Sequence, residues 1–227
     1  LMGRGLVEPA DDFRTTNPAT HPELLNQLAH DFVSNGYRLR HMLRQIANSR
    51  AYQRGKATAI NAVDDAFYSH SLPRRLAPEV MADAISDVLG AHEQYGDTPL
   101  GTRAISIVNP QQPSESLDIL GRCGREESYE AQPPPANGLA QTLHRFNGKL
   151  LNARLRATGS RLQNCFQAEV SGDRILDEFY LASLCRLPTQ MERQYWLDML
   201  RSTDNPEEFW EDFVWGLLSS QAFMNNK

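Results

Sequence analysis

Between Tyr95 and Gly138 the helical periodicity that runs through the rest of this chain stops, and six prolines (Pro99, Pro110, Pro113, Pro133, Pro134 and Pro135) stand in its place. Proline removes a backbone donor and fixes φ, so neither a helix interior nor a central strand accepts it. The chain is thereby divided into a helical part before this stretch and a helical part after it. Connections of such length inside a compact domain are usually functional or unstructured. Only Arg103 to Val108 alternates in the manner of a strand.

The flanking patterns are amphipathic. Thr20 with Glu23 reads as a capping box, followed by Leu24, Leu25, Leu28, Phe32 and Val33 on one face and Gly36 as a stop. Leu39, Met42, Leu43, Ile46 and Ala47 form the stripe of a second helix. The short connection predicts an antiparallel pair over residues 20–48, because neither stripe can stay in water. Residues 50–72 read as loop. Pro78 opens a middle helix over 78–90 with Val80, Met81, Ala84, Ile85, Val88 and Leu89 inward and Gly90 at its end.

After the irregular loop of residues 95–138, helical pattern resumes at Leu139, Leu143, Phe146, Leu150 and Leu151. Asp173 opens a helix that Pro188 stops. Thr189 with Glu192 forms a further capping box, and Asn205-Pro206-Glu207-Glu208 supplies a cap, a proline and acids to the last helix. Short connections make residues 139–224 a C-terminal bundle. The expected fold is mainly α: a helical bundle with a long irregular Pro/Gly-rich middle loop, at most a short strand or two, and a single domain over residues 1–227.

Charge is unevenly spread. The formal net charge of -5 argues against a dedicated nucleic-acid binder. Residues 36–75 carry eight basic and two acidic residues, and residues 173–227 carry five and ten. The expected explanation is internal complementarity between a basic helix pair and an acidic bundle. No apolar run is long enough to span a bilayer, so no membrane insertion is expected.

Most catalytic signatures are missing from the sequence. His92-Glu93 lacks the second histidine of a zinc-protease helix, and neither Gly3-Arg4-Gly5 nor Gly121-Arg122-Cys123-Gly124 completes a phosphate loop. The three acids Glu8, Asp11 and Asp12 fall short of a calcium loop. No metal site and no cofactor is expected. Cys165 and Cys185 fall at apolar helix positions and read as buried, inert thiols, whereas Cys123 lies between Arg122 and Arg125, which favour its thiolate.

Arginine offers a planar fork for anions, so the ligand-binding candidates are Arg74, Arg75, Arg103, Arg122 and Arg125. For an enzyme, the catalytic candidates are the carboxylates Glu126, Glu127 and Glu130 with His144.

Several of these segments resemble one family. Gly3-Arg4-Gly5-Leu6-Val7-Glu8-Pro9, Asp11-Asp12-Phe13-Arg14, Asn17-Pro18 and His21-Pro22-Glu23-Leu24-Leu25 resemble the start of a DUF1553 (PSD1) domain. So do Ser49-Arg50-Ala51-Tyr52-Gln53, Pro73-Arg74-Arg75-Leu76, Gly101-Thr102-Arg103-Ala104-Ile105, and Gly121-Arg122 with Arg125. The likeness continues through Gln141-Thr142-Leu143-His144-Arg145-Phe146-Asn147-Gly148 and Tyr180-Leu181-Ala182-Ser183-Leu184, with Arg186 and Pro188-Thr189. It ends at Trp215-Gly216-Leu217-Leu218-Ser219-Ser220 with Phe223.

The resemblance implies a planctomycete-type domain at the C-terminus of a large exported protein, after a DUF1549 domain and often a cytochrome c domain. The start at Leu1 then reads as a domain cut from that parent, with a periplasmic or cell-surface location. Sulfatase-like gene neighbours of such proteins imply sulfated or acidic glycan as a ligand. Relatives carry a cysteine- and glutamate-rich stretch where this chain has Glu126-Glu127-Ser128-Tyr129-Glu130; a cysteine-dependent role for that loop does not carry over.

Three functions follow as expectations. The first is a non-enzymatic interaction or scaffold domain that binds glycan or another domain of its parent. The alternatives are a glycan-processing enzyme using the loop carboxylates, and a redox partner docking the cytochrome c domain.

Overall fold

The computed structural model describes residues 1–109, 112–122 and 150–226. The described chain is mainly α, as the periodicity requires, and its strands β1 (Arg74–Arg75) and β2 (Asn225–Asn226) are two residues each and pair with one another. It divides into two compact units: residues 1–74 with Asn225 and Asn226, and residues 75–224.

The first unit holds α1 (Pro22–Ser34) and α2 (Leu39–Asn48), which pack on each other. The expected capping box at Thr20 does not form. Thr20 spends its N–H and its hydroxyl on the Leu6 carbonyl (2.8 and 3.3 Å), so His21 becomes the cap residue and Pro22 starts the helix without a side-chain cap. Asp31 joins the two helices through His41 Nε2 at 3.0 Å. Residues 50–72 form no helix, as expected, and local side chains hold them in place. Asp64 accepts the N–H groups of Ala66, Phe67 and Ser69 at 2.8–3.0 Å, and the Asn61 amide donates to the Ser69 carbonyl at 3.1 Å. This unit buries almost nothing. Val7 and His70 are its only fully buried side chains among the described residues.

The second unit is built around α3 (Pro78–Leu89), which starts on Pro78 and ends on Gly90 in the left-handed region at φ 64°. Of the stripe anticipated from periodicity, Met81, Ile85, Val88 and Leu89 are buried while Val80 and Ala84 are half-buried; Ala82, Asp83 and Ser86 are buried as well, so α3 is covered on nearly every side. Asp83 accounts for the difference at Arg103 to Val108. Its carboxylate accepts the N–H groups of Ala104 (2.6 Å) and Ile105 (3.2 Å), which curls Ala104–Ser106 into a 3-10 turn instead of a strand.

Within the stretch expected to be irregular, Ser114 caps a short helix, α4 (Glu115–Leu120), by accepting the Leu117 N–H. Two arginines from later in the chain then satisfy the end of α3. Arg154, on α5 (Leu150–Leu155), donates to the Ala91 carbonyl and to Ser86 Oγ at 2.6 and 2.7 Å. Arg161, at the start of α6 (Arg161–Gln167), donates to the carbonyls of Val88 and Asp87 at 2.8 and 3.1 Å and to Glu178 at 2.9 Å. Cations at the open carbonyls of a helix C-terminus are favoured by both hydrogen bonding and the helix dipole.

The C-terminal helices are α7 (Gly172–Leu184), α8 (Gln190–Ser202), α9 (Pro206–Leu218) and α10 (Gln221–Met224). The Thr189–Glu192 capping box and the Asn205 cap with Pro206 form as read. α7 opens on Gly172 rather than Asp173. A Cβ at Gly172 would lie 3.0 Å from Leu200 Cδ2 and 3.3 Å from the Trp210 ring, so a larger residue there would have to push these side chains aside. Phe213, 0% exposed, sits between Phe179, Tyr180, Trp196 and Trp210, with ring centroids 4.9–6.3 Å away.

Truncating this ring centre removes the contacts of four aromatic neighbours, so Phe213→Ala is expected to cost about 3–5 kcal/mol in urea unfolding. Acid is expected to weaken the α7–α8 turn. The Arg186 guanidinium, with the Thr189 N–H, holds Glu192 at about 2 instead of 4.5, so its stabilisation is complete above about pH 4.5 and is lost as pH falls toward 2. Glu192→Gln should flatten the pH dependence of the melting temperature within that window.

Candidate interaction surface

The arginines proposed from sequence do not share one setting. Arg103 reaches Asp87 at 2.8 Å and Asp83 at 3.4 Å, which fixes the 3-10 turn to α3. Arg122 pairs with Asp118 at 2.7 Å and donates to the Gln112 carbonyl. Both guanidinium groups are thus committed to the chain itself. Arg74 is exposed and Arg75 half-buried, and neither makes an ion pair among the described residues. Arg125, Glu126, Glu127, Glu130, His144 and Cys123 lie outside the described residues.

The second unit holds polar clusters that resemble sites. The hydroxyls of Ser114 and Ser116 donate to the Glu93 carboxylate, and Arg154 lies 3.9 Å from it. In an open cleft this would read as a hydroxyl beside its base. Here Ser116 is 1% exposed and Ser114 also caps α4, so the group stitches α4 to the segment after α3. Tyr95 lies in the same region. Burial, then the Glu93 charge, pushes its phenol up to about 12.

A cleft of about 150 Å³ opens between α3, the 3-10 turn and α4, with apolar walls at Val80, Ile107 and Leu117 and with Glu79 and Arg122 among its lining. Among the described residues no group of three His, Cys, Asp or Glu side chains is placed to hold a metal ion.

The first unit presents a different kind of surface. From Phe32 to Val63 the sequence contains no acid, and it carries Arg38, Arg40, Arg44, Arg50, Arg54 and Lys56. All six are exposed. Arg54 donates to the Ser69 carbonyl at 2.9 Å. The other five make no ion pair among the described residues.

Apolar side chains stand beside the cations. On α2, Leu39 and Leu43 are one turn apart and 67% and 50% exposed, with Arg40 and Arg44 forming the adjacent row at the next residue position. Val33, near the end of α1, and Tyr37, on the connection into α2, are 54% and 65% exposed. Met42 and Ile46 on α2 are half-buried. A basic row thus runs along a bare leucine row, on a unit that buries almost nothing. The excess of charge was readable in the sequence. Which of these cations find an acid among the described residues was not, because pairing depends on which acids the fold brings near.

The cysteines separate. Cys165 is buried, and desolvation together with Glu178 pushes its thiol up to about 11, in keeping with an inert group. Cys185, expected to be buried, is exposed instead: it ends α7 in the left-handed region at φ 53°, where the chain turns outward before Pro188.

A family model described as "PSD1: Protein of unknown function (DUF1553)" matches residues 1–200. Searches of curated proteins and of solved structures return no match.

Alkylation of the native chain with iodoacetamide, read by peptide mass spectrometry, is expected to modify Cys185 readily. Cys165 should react only once the chain is unfolded.

Proposed function

The chain belongs to the PSD1 (DUF1553) family, whose function is unknown, and from that premise we propose that it is a non-catalytic interaction domain. The α1–α2 face docks a neighbouring domain of the exported parent protein. The observation that carries this is the acid-free stretch from Phe32 to Val63, with exposed cations set beside exposed leucines. Desolvating Leu39 and Leu43 is favourable only against an apolar surface, which a protein offers. A sulfated glycan would take up the cations and leave the leucines in water. The DUF1549-type neighbour, in the periplasm or at the cell surface, is the partner that the family resemblance supplies.

The redox reading draws no support from the acidic C-terminal segment. Much of its charge is already matched within the chain: Arg186 with Glu192, Arg193 with Asp173 and Asp177, and Arg156 with Glu211. The carboxylates of the glycan-processing reading lie outside the described residues.

Titration calorimetry of the chain with its DUF1549-type neighbour tests the proposal. Binding is expected to weaken as salt rises. It should fall at least about tenfold in Arg40→Glu/Arg44→Glu and, separately, in Leu39→Ser/Leu43→Ser, since each pair removes one of the two complementary components. All four positions are exposed, so the melting temperature should stay unchanged. If heparin binds and the leucine pair has no effect, the face is a polyanion site and the proposal fails.

A further inference from the structure

Helix α2 has one continuous apolar face, and only half of it is covered. At about 100° of rotation per residue, Met42, Ile46, Leu39 and Leu43 follow one another round the helix within about 100°, the width of a stripe that faces a core. Met42 and Ile46, the half nearer His41, are half-buried, and His41 itself bonds to Asp31 of α1. Leu39 and Leu43, the half farther from His41, are 67% and 50% exposed. Ala47, one turn beyond Leu43, is exposed as well. Neither α1 nor α2 has a fully buried residue.

The bare half has one charged border. Arg40 and Arg44 lie about 60° and 100° further round from Leu43, and both are exposed and without an ion pair among the described residues. The opposite border, next to Met42, is the uncharged Gln45. Along the axis the leucine row and the arginine row both repeat at about 6 Å, four residues of helical rise.

Resting on the reading that this face docks a neighbouring domain, we propose that the docking element is an acidic amphipathic helix of about three turns, laid along α2 as the third helix of a bundle. Its apolar stripe covers Leu39, Leu43 and Ala47, and two carboxylates four residues apart meet Arg40 and Arg44.

Three features select this occupant. The stretch from Phe32 to Val63 brings no acid to these cations, so the complementary charge comes with the partner. The surface of α2 offers no strand edge, and an extended segment laid on the leucines would turn unpaired peptide groups toward an apolar wall. A helix pairs its own. Finally, residues four apart on a helix share one side at the same 6 Å interval, so both rows of α2 are met in register.

Photo-crosslinking tests this. Benzoylphenylalanine in place of Ala47, irradiated in the complex with the neighbouring domain, marks the docked segment for peptide mass spectrometry. That segment is expected to carry apolar residues at helical spacing, with two acids four residues apart beside them. Changing those two acids to Lys should weaken binding at least about tenfold, and Arg40→Glu/Arg44→Glu in this chain should restore it to within about threefold. A synthetic peptide of the segment should gain helical far-UV circular dichroism when the chain is added.

A cross-linked segment without the acid pair, a charge swap that rescues nothing, or a peptide that binds without becoming helical overturns the proposal and leaves the docking reading standing. Absence of binding to the neighbour removes both. Cosedimentation with phosphatidylserine vesicles that the neighbour does not displace, lost in Leu39→Ser/Leu43→Ser, would give the face to a lipid surface and overturn both as well.

Discussion

The two guanidinium groups on the carbonyl end of α3 are the contact from which the second unit follows. A buried helix must satisfy its last carbonyls without water. α3 has few other means of doing so, because it is covered on nearly every side. Arg154 and Arg161 answer that need, and both come from the chain that follows residue 149. By gripping Asp87, Val88 and Ala91 they bring α5 and α6 to α3. Arg161 continues to Glu178, which brings in α7. Arg154 lies so deep that desolvation lowers its pKa, opposed by the nearby Glu93 carboxylate. Losing the Arg154 guanidinium would leave the part-buried Ala91 carbonyl without its donor, a larger penalty than the loss of a surface ion pair.

What was legible in the sequence was local chemistry. Pro78 and Gly90 bracket α3, the Thr189–Glu192 box starts α8, and Asn205-Pro206 starts α9; each signal lies within four residues of what it caps. The failures involve partners far along the chain. Asp83 and Ser86 look like solvent positions on α3 until Ala104 and Arg154 are placed beside them. The alternation from Arg103 to Val108 was real, yet one carboxylate accepting two successive N–H groups outweighs it. Thr20 had the right residue type for a cap and was claimed by Leu6 instead. The same limit governs the candidate surface. The basic excess in residues 36–75 could be counted from the sequence, and the exposure of Leu39 and Leu43 beside it could not.

The two units use different means of holding together. Residues 75–224 have interlocked aromatic rings and a continuous buried cluster. Residues 1–74 rely on hydrogen bonds, local ones from Asp64, Asn61 and Asp31 and longer-range ones from Arg4 to the Asp65 carbonyl and from Tyr68 to the Arg4 carbonyl, with the apolar faces of α1 and α2 only half covered. Burial is the main source of folding free energy, so the first unit has little stability of its own. The exposed cations of this surface also repel one another.

A segment that buries only Val7 and His70 among the described residues is expected to open below the free energy of global unfolding. Its amide protons therefore exchange with solvent early, while those of α3, α7 and α9 wait for the whole second unit to come apart. A partner that covers the leucine row must supply the ordering entropy of this unit as well as the contacts. Its affinity is correspondingly lower than the buried area suggests, and it responds to anything that stiffens the segment beforehand.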